Sequence, residues 1–211
     1  MNRFEQKEIR LPTIRGDVRA RSFCTSDQIR RYTFNARFGS HAQYKSLYTR
    51  RESLENNADQ PDANVTLALT DEDQIVGFGV LNYPDPDERW SRLEPRMMME
   101  VAAIEVTRNW RSAGLAQELI RMLLDHPLIE SKIVYLVGYA WTWDLDGTGK
   151  SAQEYRTMLI KLFEPFGFLE YQTNEPNICL KPENVFMGRV GISVTEEKRK
   201  DFKWLCFGIS P

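Results

Sequence analysis

Between Met97 and Ala140 the chain reads as strand, tight turn, helix and strand, and this order limits the fold more than any other feature. Met97 to Val106 has strand character. Leu115, Leu119, Met122 and Leu123 then recur at helical spacing on one face, with Gln117, Glu118 and Arg121 outside it. Ile133 to Ala140 is apolar on both faces, as suits a central strand covered from both sides. A strand, a helix and a strand in this order imply a parallel pair joined by a right-handed crossover.

The flanking segments extend that core. Val65 to Leu69 and Ile75 to Leu81 are β-rich runs separated by a polar turn and read as a hairpin. Asn82 to Trp90 carries prolines at 84 and 86 and cannot continue a ladder, so it is a loop. Upstream, a short strand is expected around Val18 to Phe23, then a helix over Asp27 to Phe38 capped by Thr25 or Ser26. A second helix is expected over Ala42 to Leu54, with Tyr44, Leu47 and Tyr48 on one face and Arg50 and Arg51 at a solvated end. Asn56 to Asn64 reads as a loop. Downstream, a helix spans Ser151 to Phe163 with Tyr155, Met158, Leu159, Leu162 and Phe163 inward. Strands follow at Phe168 to Gln172 and Phe186 to Val190, and a last helix at Val194 to Phe202. The class implied is α/β (α+β), a mixed central sheet with flanking helices.

Composition narrows the setting. A chain of 211 residues is read as one domain over 1–211, with its working core at about 65–172. Hydrophobic residues at 42% and charged residues at 27% exclude disorder as the main state. With 28 basic against 30 acidic residues the net charge is -2, which argues against a protein that coats nucleic acid or an anionic membrane. Cys24, Cys179 and Cys206 form no C-x-x-C pair and read as reduced thiols. His41 and His126 form no metal-ligand pattern, so no metal is expected. The charged N-terminus lacks the apolar stretch of a signal peptide, and no apolar window is long enough to span a bilayer. The expected location is the cytoplasm.

The segment with the most chemistry is Ile104-Glu-Val-Thr-Arg-Asn-Trp-Arg-Ser-Ala-Gly-Leu-Ala116. A strand ends at Val106 and a helix opens near Gly114. Helix N-termini present unpaired N–H groups and partial positive charge, a ready site for pyrophosphate. Gly114 and Ala116 are small enough for close approach, and Arg111 adds a cation. The alternative is a surface turn closed by a glycine. A second run, Asp144-Leu-Asp-Gly-Thr-Gly-Lys-Ser151, ends like a P-loop, but Asp144 stands where its first glycine is needed. It also resembles a calcium loop at Asp144, Asp146 and Gly149, but Tyr155 replaces the terminal glutamate. A turn capping the helix near Ser151 is the plainer reading.

Arg111-Ser-Ala-Gly114-Leu-Ala116 resembles the [RQ]-x-x-G-x-[GA] acetyl-CoA pyrophosphate loop of the GNAT superfamily of N-acetyltransferases. Tyr83 to Trp90, Ala103 to Val106, Trp141 to Leu145, Glu154 to Arg156 and Arg189 to Gly191 resemble, in order, the acetoin-utilization (AcuA-type) acetyltransferases within that superfamily. The resemblance implies a GNAT-type domain and acetyl-CoA as co-substrate. It also implies a protein partner, acetyl-CoA synthetase, inactivated by acetylation of a lysine. On this reading Ser112, Ala113, Gly114, Leu115 and Ala116 join Arg111 around the pyrophosphate, and the backbone of Ile104 and Val106 holds the pantetheine arm. Ser112 stands where glycine is commoner.

A lysine of ordinary pKa is neutral in roughly one molecule in 2500 at neutral pH, so acetyl transfer needs a general base. Glu100 and Glu105 are the two acids on the strand. An undistorted strand points them to opposite faces, and a bulge of the kind this superfamily carries changes that parity. The resemblance favours Glu105 over Glu100; either acid also reads as a salt-bridged strand residue. The tyrosine that protonates the thiolate in many relatives falls at Phe163, leaving Tyr155 or Tyr139 to substitute. Trp141, Trp143 and Trp90 are expected either as a platform for a protein substrate or as core-edge aromatics. A small-molecule amine acetyltransferase, a non-catalytic acetyl-CoA-binding module and a P-loop-like nucleotide-binding protein are the competing functions.

Overall fold

A computed structural model describes residues 4–39, 48 and 50–209. The chain forms two compact units, one from residues up to 82 together with 101–126, the other from 83–100 and 127 onward. The first begins with a hairpin of β1 (Glu8–Thr13) and β2 (Gly16–Arg21). After the short helix α1 (Ser26–Ile29), β3 (Thr33–Phe34) and α2 (Arg51–Ala58), β4 (Asn64–Leu69) and β5 (Gln74–Asn82) form the expected antiparallel hairpin. Every residue of β4 is buried, as a strand covered on both faces requires. The next strand, β6 (Met98–Val106), leads into α3 (Leu115–Leu124). Strand order in this unit is β1-β2-β4-β5-β6, with β3 parallel to β5.

Alternation along β6 sorts its side chains. Ile104 and Val106 pack with Val18, Ala68, Val76, Leu115 and Leu119. Ala103 joins the opposite cluster of Phe78, Leu67, Leu54 and Ile29. The helix α3 lies close on β5 because β5 carries glycines: a Cβ at Gly79 meets Thr66 Oγ1 at 2.7 Å and Leu123 Cδ1 at 2.8 Å.

The second unit starts on the first residues of β6. Met98–Glu100 pair in parallel with Ile133–Tyr135 of β7 (Ile133–Gly138), which confirms the expected parallel pair. The short turn α4 (Leu145–Thr148) and α5 (Ala152–Phe163) follow, then β8 (Leu169–Glu170), α6 (Pro176–Cys179), β9 (Val185–Val190) and α7 (Glu196–Cys206). Strand order is β6-β7-β9-β8. Its core joins Trp90, Tyr135, Phe186, Phe202 and Leu205. Sheet and flanking helices, with both parallel and antiparallel strand pairs, are the α/β class that the pattern implies.

Several local expectations change. The helix expected over Asp27 to Phe38 ends at Ile29. Thr33 and Phe34 are extended instead and pair with Gln74 and Ile75, and Asn35 caps a separate 3-10 turn at Ala36–Phe38. The four-residue spacing of Phe34 and Phe38, which reads as a helix face, is met without a helix: both rings pack on Phe78. For the helix expected over Ala42 to Leu54, residues 42–47 and 49 lie outside the described residues, as does His41. The described helix runs later, so Asn56 to Ala58 is helical rather than loop, held by the Arg51–Glu55 pair one turn apart. Of the five residues expected inward on α5, only Phe163 is fully buried and the rest are half-buried. The strand expected over Phe168 to Gln172 shortens to two residues. The strand β1 had no counterpart in the sequence pattern.

Gly79→Ala has no free space for its methyl group. Overpacking of this kind costs roughly 1–3 kcal/mol, a drop of about 2–10 °C in Tm for a chain of this size. Thermal unfolding followed by circular dichroism measures it, and an unchanged Tm means the β5–α3 packing is looser than described.

Candidate functional site

The turn after β6 is built by backbone geometry. Thr107 closes the strand, its N–H and hydroxyl both donating to the Val76 carbonyl at 2.9 and 3.2 Å. A 3-10 turn at Arg108–Trp110 follows, and Arg111 folds back so that its Nε donates to the Val106 carbonyl at 3.0 Å. Ser112 then adopts a φ of 65° and Gly114 a φ of 76°. The left-handed value at Ser112 explains why a glycine is common there: any side chain strains that conformation.

Gly114 is the N-cap of α3 and no side chain caps the helix. The first helical bond runs from the Glu118 N–H to the Gly114 carbonyl, so the N–H groups of Leu115, Ala116 and Gln117 precede the ladder. Nothing lies within 4 Å of where a Cβ on Gly114 would stand. These N–H groups, the open space before them and the Arg111 cation fit an anionic group such as a pyrophosphate. Ala113 and Leu115 contribute backbone only, because their side chains pack with Val18 and Leu119. Ile104 and Val106 likewise turn their side chains toward α3 and leave backbone to a ligand.

Burial alternates from Met99 to Thr107, yet Ala102 and Ala103 both pack against the Phe78 cluster while Ile104 and Val106 pack toward α3, so side-chain packing does not keep a strict two-residue period between Glu100 and Glu105. Glu105 is buried in the first unit, on the face of Val101 and Ala103. Glu100 is half-buried in the second unit, opposite Tyr135 in the parallel register. Burial, and then the charge of Glu88, push the Glu100 carboxyl up to about 7. The Tyr135 hydroxyl is fully buried and donates to Glu88 Oε2 at 3.2 Å.

Tyr139 continues this group. Burial and the carboxylates of Glu175, Glu100 and Glu88 push its hydroxyl up to about 12, so it keeps its proton at neutral pH. One oxygen of Glu175, Oε2, is buried and accepts no hydrogen bond. Glu88 and Tyr135 are residues the sequence pattern did not single out. Glu88 lies inside the Tyr83 to Trp90 stretch, but nothing in a linear pattern brings that loop to β6.

The tryptophans separate. Trp141 is 57% exposed and stacks on Tyr139 at 4.6 Å. Trp90 is buried against Phe186 at 4.4 Å, and Trp143 is buried and stacks on Tyr155 at 5.0 Å. A three-tryptophan platform is therefore not formed, because two of the rings close the core. Phe163 is also a core residue, edge-on to Phe168 at 5.2 Å.

The P-loop-like run uses its amides internally. Asp144 Oδ1 accepts from the Gly147 N–H at 3.0 Å, and the Gly149 and Lys150 N–H groups donate to Asp146 and Leu145 carbonyls. Ser151 and Glu154 form a capping box that opens α5. The run is a helix-capping turn. Among the described residues, no three His, Cys, Asp or Glu side chains are grouped to hold a metal ion, and no helix is long and apolar enough to cross a membrane.

Comparison with known proteins agrees with this geometry. Residues 30–139 match the acetyltransferase (GNAT) family. The acetoin utilization protein AcuA of Bacillus licheniformis is 30% identical over 93% of this chain and 92% of its own length. AcuA of Bacillus subtilis is 34% identical over 74% of each chain. The crystal structure of an acetoin utilization protein from Exiguobacterium sibiricum superposes with a TM-score of 0.88 at 26% identity, covering 98% of this chain and 97% of that one. With the loop at Arg111–Ala116, the parallel β6–β7 pair and these matches in place, the chain belongs to the GNAT family of acetyl-CoA-dependent N-acetyltransferases.

Proposed function

We propose that this chain works as one acetyltransferase domain in the cytoplasm and acetylates a lysine of a protein, with acetyl-CoA synthetase as the acceptor, in acetate and acetoin metabolism. The AcuA proteins it is similar to are acetoin utilization proteins, and that similarity supports the metabolic setting. The observation that carries the acceptor class is the group of carboxylates at Glu88, Glu100 and Glu175, with the exposed ring of Trp141 on Tyr139. Such a surface suits a cationic side chain presented by a protein.

In this reading the N–H groups from Ser112 to Ala116 and the Arg111 guanidinium hold the pyrophosphate of acetyl-CoA. Backbone from Ile104 to Val106 holds the pantetheine arm and supplies a donor to the oxyanion. Of the two strand acids, burial and the neighbouring charge of Glu88 favour Glu100 as base. A carboxyl that titrates near 7 is matched to taking a proton at neutral pH, which an ordinary carboxylate does less well. The freed amine attacks the thioester carbonyl, the carbon–sulfur bond breaks, and the thiolate takes a proton. Tyr139 has that proton to give, and Phe163 does not. Glu105, buried in the first unit, is then a structural acid.

The direct test is intact-protein mass spectrometry of acetyl-CoA synthetase incubated with this protein and acetyl-CoA. The expected result is one added acetyl group, mapped to one lysine, with loss of synthetase activity. No enzyme-dependent gain, with acetyl-CoA binding shown by calorimetry, excludes that substrate.

Two variants test the site. Arg111→Ala is expected to weaken acetyl-CoA binding by about tenfold or more, the worth of a charge-assisted hydrogen bond. Unchanged calorimetric affinity removes Arg111 from the pyrophosphate site. Glu100→Gln is expected to lower kcat/KM by roughly 10²–10⁴ and to abolish its rise with pH through about 7, while Glu105→Gln keeps that rise. The reverse pattern would make Glu105 the base. Stability supplies an independent reading. Because the folded pKa of Glu100 lies above its unfolded value, wild type loses stability as pH climbs from about 4.3 through about 7. Glu100→Gln should therefore raise Tm relative to wild type near pH 8 but not near about pH 4.

A further inference from the structure

The loop that precedes β6 is held at three successive residues, and one of them is an acid. Trp90 is buried between Phe186 and Tyr135, with ring centroids 4.4 and 5.4 Å away. Arg89 Nη1 donates to Asn174 Oδ1 at 2.6 Å and to the Cys206 carbonyl at 3.1 Å, which ties the loop to the end of α7. Glu88 is exposed, yet its Oε2 accepts from the hydroxyl of Tyr135, a side chain with no solvent exposure. Tyr135 is the register partner of Glu100 on the adjacent parallel strand, so the two side chains leave the sheet on one face. A surface acid is thereby fixed beside a half-buried one of the same sign.

We propose that Glu88, held by Tyr135, is a positioning residue that keeps the Glu100 carboxyl ready to exchange a proton during acetyl transfer. This role rests on Glu100 being the base in the reading above. Burial alone raises a carboxyl, but a second carboxylate nearby raises it further because both resist being charged together. The charged and titratable groups facing Glu100 are Glu88, Tyr135 and Tyr139; both tyrosines are neutral at neutral pH, which leaves Glu88 as the charge that acts on it. An acceptor ammonium arriving at Glu88 cancels that charge, and Glu100 then ionises more readily next to the group it must deprotonate. The proton moves from the ammonium to Glu100, and no other reactant is needed.

The test is NMR titration of isotope-labelled glutamate carboxyls in the full chain, in wild type, Glu88→Gln, Glu88→Asp and Glu100→Gln. Glu100→Gln identifies the Glu100 resonance by its loss. In Glu88→Gln the Glu100 midpoint should fall by roughly half a pH unit or more, while Glu88→Asp, which keeps the charge, should stay near wild type. Tm of Glu88→Asp should stay near wild type, and Tm of Glu88→Gln should rise slightly above about pH 7 and match wild type near about pH 4. An unmoved midpoint in Glu88→Gln overturns the proposal. The pH profile of kcat/KM with acetyl-CoA synthetase as acceptor is expected to move with the NMR midpoint. If the midpoint moves and the profile does not, the coupling is real but Glu100 is not the base, which overturns the assignment on which this role rests.

Discussion

The side-chain packing of β6 is the constraint on which the rest of the structure depends. Its first three residues pair with β7, and its remaining residues belong to the unit that carries β5 and α3. Ile104 and Val106 must face the α3 cluster, and Ala103 must face the Phe78 cluster, so the strand has one acceptable register. A slip of one residue would turn every apolar side chain to the wrong face.

At the end of that strand, the proposed coenzyme site rests on backbone rather than on side chains. The cradle consists of N–H groups placed by two left-handed residues, Ser112 and Gly114, and by the start of α3. Ala113 and Leu115 serve it indirectly, by packing the turn onto the Val18 cluster. The helix in turn sits close to β5 because Gly79 leaves room for Leu123. A ligand site made this way is stiff, since its donors cannot rotate, and its geometry is as well determined as the core beneath it.

Much of this was legible in the residues because the signals are local. The strand, turn and helix from Met97 to Leu124 follow from periodicity, and the hairpin at β4–β5 from two β-rich runs with a polar turn. What failed was long-range. Phe34 and Phe38 have helical spacing, but a partner at the edge of β5 draws Thr33 and Phe34 into extended backbone, a preference that tertiary pairing decides. Whether Trp90, Trp141 and Trp143 form a platform or close the core edge was open in the sequence, and the burial of Trp90 and Trp143 depends on packing against Phe186 and Tyr155. Which of Glu100 and Glu105 is electrostatically perturbed was not legible, since that depends on burial and on a residue of a distant loop, Glu88.

The pairing of Glu88 with Glu100 is costly for folding, and that cost is informative. Placing a half-buried carboxyl beside a second acid destabilises the ionised form, and a glutamine at either position would relieve it. Tyr135 makes the arrangement firmer: its buried hydroxyl needs an acceptor, and Glu88 provides one. The buried Asp144, by contrast, caps α4. Among the described residues, Glu100 has no such hydrogen bond and no ion pair. An acid raised by burial and by a neighbouring charge costs stability, and that cost supports the proposal that Glu100 serves proton transfer.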